Sequence, residues 1–152
     1  MRSLVSAACI VLAAGVAPAR ASDNTPVAPN SEQVASGRAI YQAYCASCHG
    51  ANGEGAPEWR RRDAHGELPP PPHDAQGHTW RHSDAMLARM IWQGWRDPFN
   101  KTERLTMPAF AGTLTSQEVR SVIAYLKTLW TPEQHQFQRE ESQRQSLAPA
   151  AR

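Results

Sequence analysis

The C-A-S-C-H run at residues 45–49 constrains this 152-residue chain more than any other feature. C-x-x-C-H is the attachment signature of a covalently bound haem, in which each cysteine sulfur forms a thioether with a vinyl group. The alternatives are a disulfide and half of a zinc site, but a zinc site needs a second ligand pair. Cys9 is the one other cysteine. The motif therefore predicts a single haem c on Cys45 and Cys48, with His49 as the proximal iron ligand.

The amino terminus has the pattern of an export signal. Arg2 is followed by an uncharged run and then by an A-x-A site at residues 19–21. This pattern predicts a signal peptide at residues 1–21, with cleavage before Ser22. An uncleaved anchor is the alternative, although the run is slightly short and rich in alanine and serine for a membrane span. We therefore expect a periplasmic protein with no transmembrane segment after cleavage.

The charge balance does not favour a nucleic-acid partner. The whole chain has 16 basic and 14 acidic residues, and the signal segment contains two arginines but no acid. What remains is balanced, and its basic residues are dispersed except for an arginine triplet at residues 60–62 that lies in no binding motif. Lys101 and Lys127 are the only lysines. Binding to any protein partner is therefore expected to depend only weakly on salt.

One domain fits between two polar ends. Residues 22–30 form a proline-containing linker, and residues 132–152 are rich in Gln, Glu and Arg with hardly an apolar anchor. This polar C-terminal tail is expected to be a frayed helix or a flexible, disordered segment. The domain then spans residues 31–131, a size at which a buried haem would supply much of the apolar core.

Three helices are predicted within this domain, and no segment shows persuasive strand alternation. The first begins near residue 31 and leads into the cysteine motif, and the next covers about residues 83–94. The last begins at a capping box formed by Thr115 and Glu118, after which apolar residues recur at helical spacing until Pro132.

This arrangement resembles the class I cytochrome c family over about residues 31–131. The pieces that carry the resemblance are CASCHG at 45–50, NGEGAP at 52–57, TMPAF at 106–110 and VIAYL at 122–126. The resemblance implies an all-α cytochrome c fold, with three main helices around one haem. It implies that the first and last helices cross at Gly37, opposite Tyr41 and Tyr125. By the same resemblance, the Pro57 carbonyl accepts the proton on the outer nitrogen of His49.

Met107 is the predicted distal ligand of the iron, in a loop closed by Pro108. Met86 and Met90 are the alternatives, but methionines spaced i, i+4 on a helix more often pack in a core. A six-coordinate iron leaves no open position for a substrate, so we predict an electron carrier with no catalytic residues. Its expected partners are redox proteins of the periplasm or the cytoplasmic membrane. A five-coordinate haem enzyme or gas sensor is the alternative.

A long loop rich in proline and histidine, residues 58–82, departs from the family pattern. Its polyproline run must be extended, and its histidines are His65, His73, His78 and His82. With two methionines nearby, a copper-handling or structural subunit without a redox role is a further alternative. Otherwise these histidines cap helices, solvate the loop or bind the haem propionates. Arg60, Arg81 and Trp80 are further candidate propionate partners.

Overall fold

The computed structural model describes residues 30–102 and 104–147. The helices are α1 (Ser31–Tyr44), α2 (Ala46–His49), α3 (Asp84–Gln93), α4 (Ser116–Lys127) and α5 (Pro132–Leu147), with a 3-10 turn at Thr79–Arg81. Within the described residues, the only β-type pairing is one isolated bridge between Trp95 and Met107. The predicted all-α fold is confirmed. The predicted signal peptide and nearly all of the predicted linker lie outside the described residues.

Polar side chains set the starts of the three main helices. Asn30 caps α1, Ser83 caps α3 and Thr115 caps α4, and each accepts a hydrogen bond from a backbone N–H of the first turn. Glu118 completes the predicted capping box with Thr115. Gly94 ends α3 with a φ of 75°, a conformation that glycine adopts at little cost. These helix boundaries follow from local sequence signals.

Helices α1 and α4 cross at Gly37. A Cβ atom on Gly37 would overlap the backbone carbonyl of Ser121 and lie 3.1 Å from the Cβ of Tyr125. One turn further along α1, Tyr41 is fully buried, and its ring centroid lies 5.2 Å from that of Tyr125. The expected crossing at Gly37 is therefore confirmed, with the α4 backbone at Ser121 as the closest neighbour.

Helix α4 lies in the middle of the core and is buried around most of its circumference. It packs against α1 on one side and against α3 on the other. The buried apolar residues are Tyr41, Leu87, Ile91, Leu114, Val119, Val122, Ile123, Tyr125, Leu126 and Trp130. This core therefore holds the carboxyl end of α1, where the cysteine motif begins. Within the described ranges, no helix is both long and apolar enough to cross a membrane.

The segment expected to be a frayed or disordered tail forms α5, which docks through polar groups. Gln138 is almost fully buried, and its amide donates to the carbonyl of His82 and to a carboxylate oxygen of Asp84. Ser142 accepts a hydrogen bond from the backbone N–H of Asp84 at 3.0 Å. The hydropathy pattern indicated no packed helix because it detects apolar faces only. Helix α5 is held by hydrogen bonds to His82 and the start of α3 and by an edge-to-face contact between Phe137 and Trp80, with centroids 5.4 Å apart.

The helix crossing makes a prediction about stability. Gly37→Ala should lower the free energy of unfolding by about 1–3 kcal/mol, because the added methyl group overlaps the Ser121 carbonyl and forces the helices apart. Urea unfolding of the haem-loaded protein measures this loss. Gly112→Ala is the matched control, because a Cβ at Gly112 meets nothing within 4 Å. Equal stability of the two variants would contradict the packing described for Gly37.

Candidate haem site

The cysteine motif folds into a single helical turn at the end of α1. The backbone N–H of Cys45 donates to the carbonyl of Tyr41 at 2.8 Å. The N–H groups of Cys48 and His49 then donate to the carbonyl of Cys45 at 3.1 and 3.0 Å. Positions i, i+3 and i+4 share one face of a helix. Both thiols and the imidazole are therefore presented on the same side of the turn.

Cys45 and Cys48 are both free thiols. Burial, with a contribution from the neighbouring Cys48, raises the pKa of the Cys45 thiol to about 11. Within residues 30–102 and 104–147, no three His, Cys, Asp or Glu side chains converge to hold a metal ion. The zinc alternative thus finds no second ligand pair in the described part of the chain.

His49 is oriented by a backbone carbonyl. Its side chain is buried, and its Nδ1 lies 2.9 Å from the carbonyl oxygen of Pro71. Because a carbonyl can only accept, Nδ1 must carry the proton, and Nε2 keeps its lone pair for a metal. Burial lowers the pKa of His49, although the bond to Pro71 opposes this shift. The structure therefore provides a neutral imidazole with one nitrogen available for iron.

The expectation that Pro57 accepts this proton is wrong. The 58–82 loop folds back on the motif, and the N–H of Ala56 donates to the carbonyl of Pro70 at 2.9 Å. This contact brings the next residue, Pro71, against His49. The carbonyl partner therefore comes from the inserted loop. Sequence reasoning missed it because the loop has no counterpart in the family pattern.

His73 lies directly beside His49, a contact that sequence reasoning did not predict. Its ring stacks on that of His49, with centroids 4.1 Å apart and planes 27° from parallel. The hydroxyl of Thr79 donates to the Pro72 carbonyl at 3.3 Å, so its oxygen accepts the Nδ1 proton of His73 at 2.8 Å. Burial lowers the pKa of His73 well below its usual value, and a second proton on the adjacent His73 and His49 rings would add repulsion that lowers it further. A neutral, oriented ring thus covers the side of His49.

Met107 lies in the segment between α3 and α4, and its backbone is held on both sides. Its N–H donates to the carbonyl of Trp95 at 2.9 Å, and its carbonyl accepts from the Trp95 N–H at 3.0 Å. A Cβ on Gly94 would lie 2.7 Å from the Met107 carbonyl oxygen, so these chains pass too closely for a side chain. The position of the Met107 backbone is therefore closely determined.

The structure brings Met107 to the same core as the cysteine motif. The side chains of Cys45 and Met107 both pack against the buried cluster. The ring of Tyr44, the residue before Cys45, lies 6.3 Å from the ring of Phe110, three residues after Met107. The segment that contains Met107 and the carboxyl end of α1 are therefore neighbours in space.

The remaining loop histidines have other contacts or are exposed. His78 stacks on Trp59 with centroids 5.6 Å apart and meets His82 edge to face at the same distance, while His65 is exposed. The candidate propionate partner Trp80 already donates its indole N–H to the Gly77 carbonyl at 3.1 Å. Arginine and tryptophan instead pair with each other in this region, with Arg60 over Trp59 at 4.0 Å and Arg81 over Trp80 at 4.9 Å.

The comparison with protein families agrees with this geometry. The family model for cytochrome c matches residues 34–130. This chain belongs to the cytochrome c family. The family carries covalently attached haem c, so the predicted cofactor is confirmed. Two free thiols and an available imidazole nitrogen on one helical turn fit that group. No curated protein and no solved structure gives a significant match.

The hydrogen bond between α1 and the turn after the motif can be tested. The hydroxyl of Tyr41 donates to the carbonyl of Gly50 at 2.8 Å. Tyr41→Phe removes that donor, while the Gly50 carbonyl still accepts from the Gly53 N–H at 3.2 Å, so stability should fall by about 0.5–1.5 kcal/mol, the net worth of one hydrogen bond. Tyr44→Phe is the control, since Tyr44 is 46% exposed. Chemical unfolding of both haem-loaded variants gives the comparison, and a loss in Tyr44→Phe alone would oppose the assignment.

Proposed function

We propose that this protein is an exported single-haem cytochrome c that passes one electron at a time between redox proteins of the periplasm or cytoplasmic membrane. Members of its family are generally haem-based electron carriers. The observation that carries the proposal is the single turn on which two free thiols lie beside an imidazole with an available Nε2. The A-x-A signal pattern of the sequence supports export.

Four side chains have roles in this proposal. Cys45 and Cys48 hold the haem through thioether bonds, His49 binds the iron on the proximal side, and Met107 binds it on the distal side. Haem c, when bound, supplies an iron that changes its oxidation state by one electron. The Pro71 carbonyl fixes the His49 ring and raises its basicity. The soft thioether of Met107 favours the reduced iron and so raises the reduction potential relative to two imidazoles.

The surface beside Met107 is suited to brief contacts with partners. Trp95 and Leu105 are 42% and 45% exposed. Both lysine side chains bind groups of the protein itself. The ammonium of Lys127 pairs with the Asp84 carboxylate at 2.8 Å, and that of Lys101 lies 3.5 Å from the Ala64 carbonyl. Electron-transfer encounters are small and transient. A largely apolar contact with weak dependence on salt is therefore proposed.

The distal ligand is tested by Met107→Ala. The iron should lose its thioether, so the iron–sulfur charge-transfer band of the oxidised protein should disappear. Carbon monoxide should then bind the reduced protein readily, and the reduction potential should fall because the soft ligand favoured Fe(II). Absorption spectra and potentiometry measure these three effects.

Met86→Leu and Met90→Leu are the controls for this variant. Both methionines lie on α3 and are only partly exposed, and leucine has a similar volume. Neither substitution should change the band. Loss of the band in one of these variants, but not in Met107→Ala, would overturn the ligand assignment. Absence of the band in the parent protein, together with carbon monoxide binding, would favour the enzyme or sensor alternative.

Export and haem stoichiometry are tested by mass. The mature protein should have the mass of residues 22–152 plus one haem, with no thiol left to react with an alkylating reagent. Both remaining cysteines are then in thioether bonds, because Cys9 is removed with the signal segment. A protein that retains residues 1–21 and stays with the membrane after washing at high salt would show that the segment is an anchor.

A further inference from the structure

Two ion pairs join the inserted loop to the segment that leads to Met107. The insertion turn (residues 62–68) belongs to the proline- and histidine-rich loop, and the methionine loop (residues 95–102 and 104–107) leads to the proposed distal ligand. The Arg62 guanidinium contacts the Asp97 carboxylate at 2.8 Å. In the second pair the roles are reversed: the carboxylate of Glu67, in the insertion turn, accepts from the Nε of Arg104 at 2.9 Å and also from its Nη2. Each segment thus supplies one carboxylate and one arginine.

Both carboxylates of this exchange are buried. Glu67 and Asp97 are each only 6% exposed. Asp97 also accepts from the N–H groups of Phe99 at 2.8 Å and Leu68 at 3.3 Å. A buried charge that loses its partner is strongly destabilised, because the remaining group has neither water nor a counter-ion. The two segments are therefore expected to separate only at a substantial cost.

Backbone contacts close the same interface. The N–H of Lys101 donates to the carbonyl of His65 at 3.1 Å. A Cβ on Gly66 would lie 2.9 Å from the Phe99 carbonyl oxygen, and the guanidinium of Arg62 lies 4.6 Å over the Phe99 ring. The insertion turn is thus packed directly on the methionine loop along its length.

The chain that leaves the insertion turn runs to His49. Leu68 binds Asp97 through its backbone N–H, and three residues later the Pro71 carbonyl accepts the Nδ1 proton of His49. The intervening prolines restrict this connection to an extended, stiff conformation. One short segment therefore contacts both the loop of the proposed distal ligand and the ring of the proposed proximal ligand.

We propose that residues 62–72 are a strut that positions both axial ligands of the iron. The Arg62–Asp97 and Glu67–Arg104 pairs hold the methionine loop closed, and Pro71 sets the orientation of His49. Arg62, Glu67 and Arg104 are positioning residues, since they act through the loop backbone and not on the iron. This inference rests on the proposed ligation by Met107. Weakening the pairs should let the loop open and the iron–sulfur bond break while the helices stay folded.

The test compares Glu67→Gln with Glu58→Gln in the haem-loaded protein. Glu58 lies in the same inserted loop and pairs with Arg61 at 3.4 Å, but both side chains of that pair are at least 70% exposed, so its loss should have little effect. Glu67→Gln should lose the charge-transfer band at a lower temperature than the helical circular dichroism signal. Carbon monoxide should bind the reduced Glu67→Gln variant at least about tenfold faster than it binds the reduced parent protein. A tenfold change corresponds to a decrease of about 1.4 kcal/mol in the free energy of loop opening. Its reduction potential should also fall.

Arg104→Gln removes the other half of the pair and should reproduce these effects. In the double variant, the temperature at which the charge-transfer band is lost should fall by less than the sum of the two single decreases. The reason is that both substitutions remove the same interaction. If Glu67→Gln does not load haem, Arg104→Gln decides the outcome, since the Arg104 side chain is largely exposed.

The possible results separate the two proposals. A parent protein with the band, and variants that keep it until the helices unfold, would overturn the strut and leave the electron-carrier proposal intact. A parent protein without the band would overturn Met107 ligation and the strut together. Early loss of the band in Glu67→Gln and Arg104→Gln, but not in Glu58→Gln, is the result that supports the strut.

Discussion

The close approach of α1 and α4 at Gly37 is the constraint on which the rest of the structure depends. The two helices can meet only where α1 has no side chain, because the carbonyl of Ser121 occupies that space. Their contact buries Tyr41 completely, and the Tyr41 hydroxyl then binds the Gly50 carbonyl beyond the cysteine motif. The helix crossing therefore determines where the turn with both thiols and His49 lies relative to the core.

The inserted loop is an integral part of the site and does not simply extend from a finished domain. It supplies the Pro71 carbonyl that orients His49, and it supplies the His73 ring that stacks on His49. Thr79 and Pro72 in turn hold His73 through a short chain of hydrogen bonds. Among the described residues, every buried side-chain nitrogen or oxygen has a hydrogen-bond partner. Such a complete polar network favours one defined arrangement of the loop.

Polar contacts also explain why part of the fold was not apparent from hydropathy. Helix α5 has no strong apolar face, yet Gln138 and Ser142 dock it on the first residues of α3. The same holds for the interface between the insertion turn and the methionine loop, where buried carboxylates meet arginines from a distant part of the chain. Periodicity analysis follows apolar spacing along a helix or strand. It carries no information about which distant polar side chains will pair.

The sequence by itself determined the features that depend on neighbouring residues. The C-x-x-C-H spacing, the capping box at Thr115 and the apolar repeat that follows it all act within a few residues, so the haem motif and three helices could be predicted. Gly37 also carried a signal, because a glycine inside a helix indicates a close contact. Only the tertiary structure decided that Pro71, and not Pro57, contacts His49, and that α5 docks. These contacts join residues far apart in the chain, and their energies depend on burial and geometry that exist only once the chain has folded.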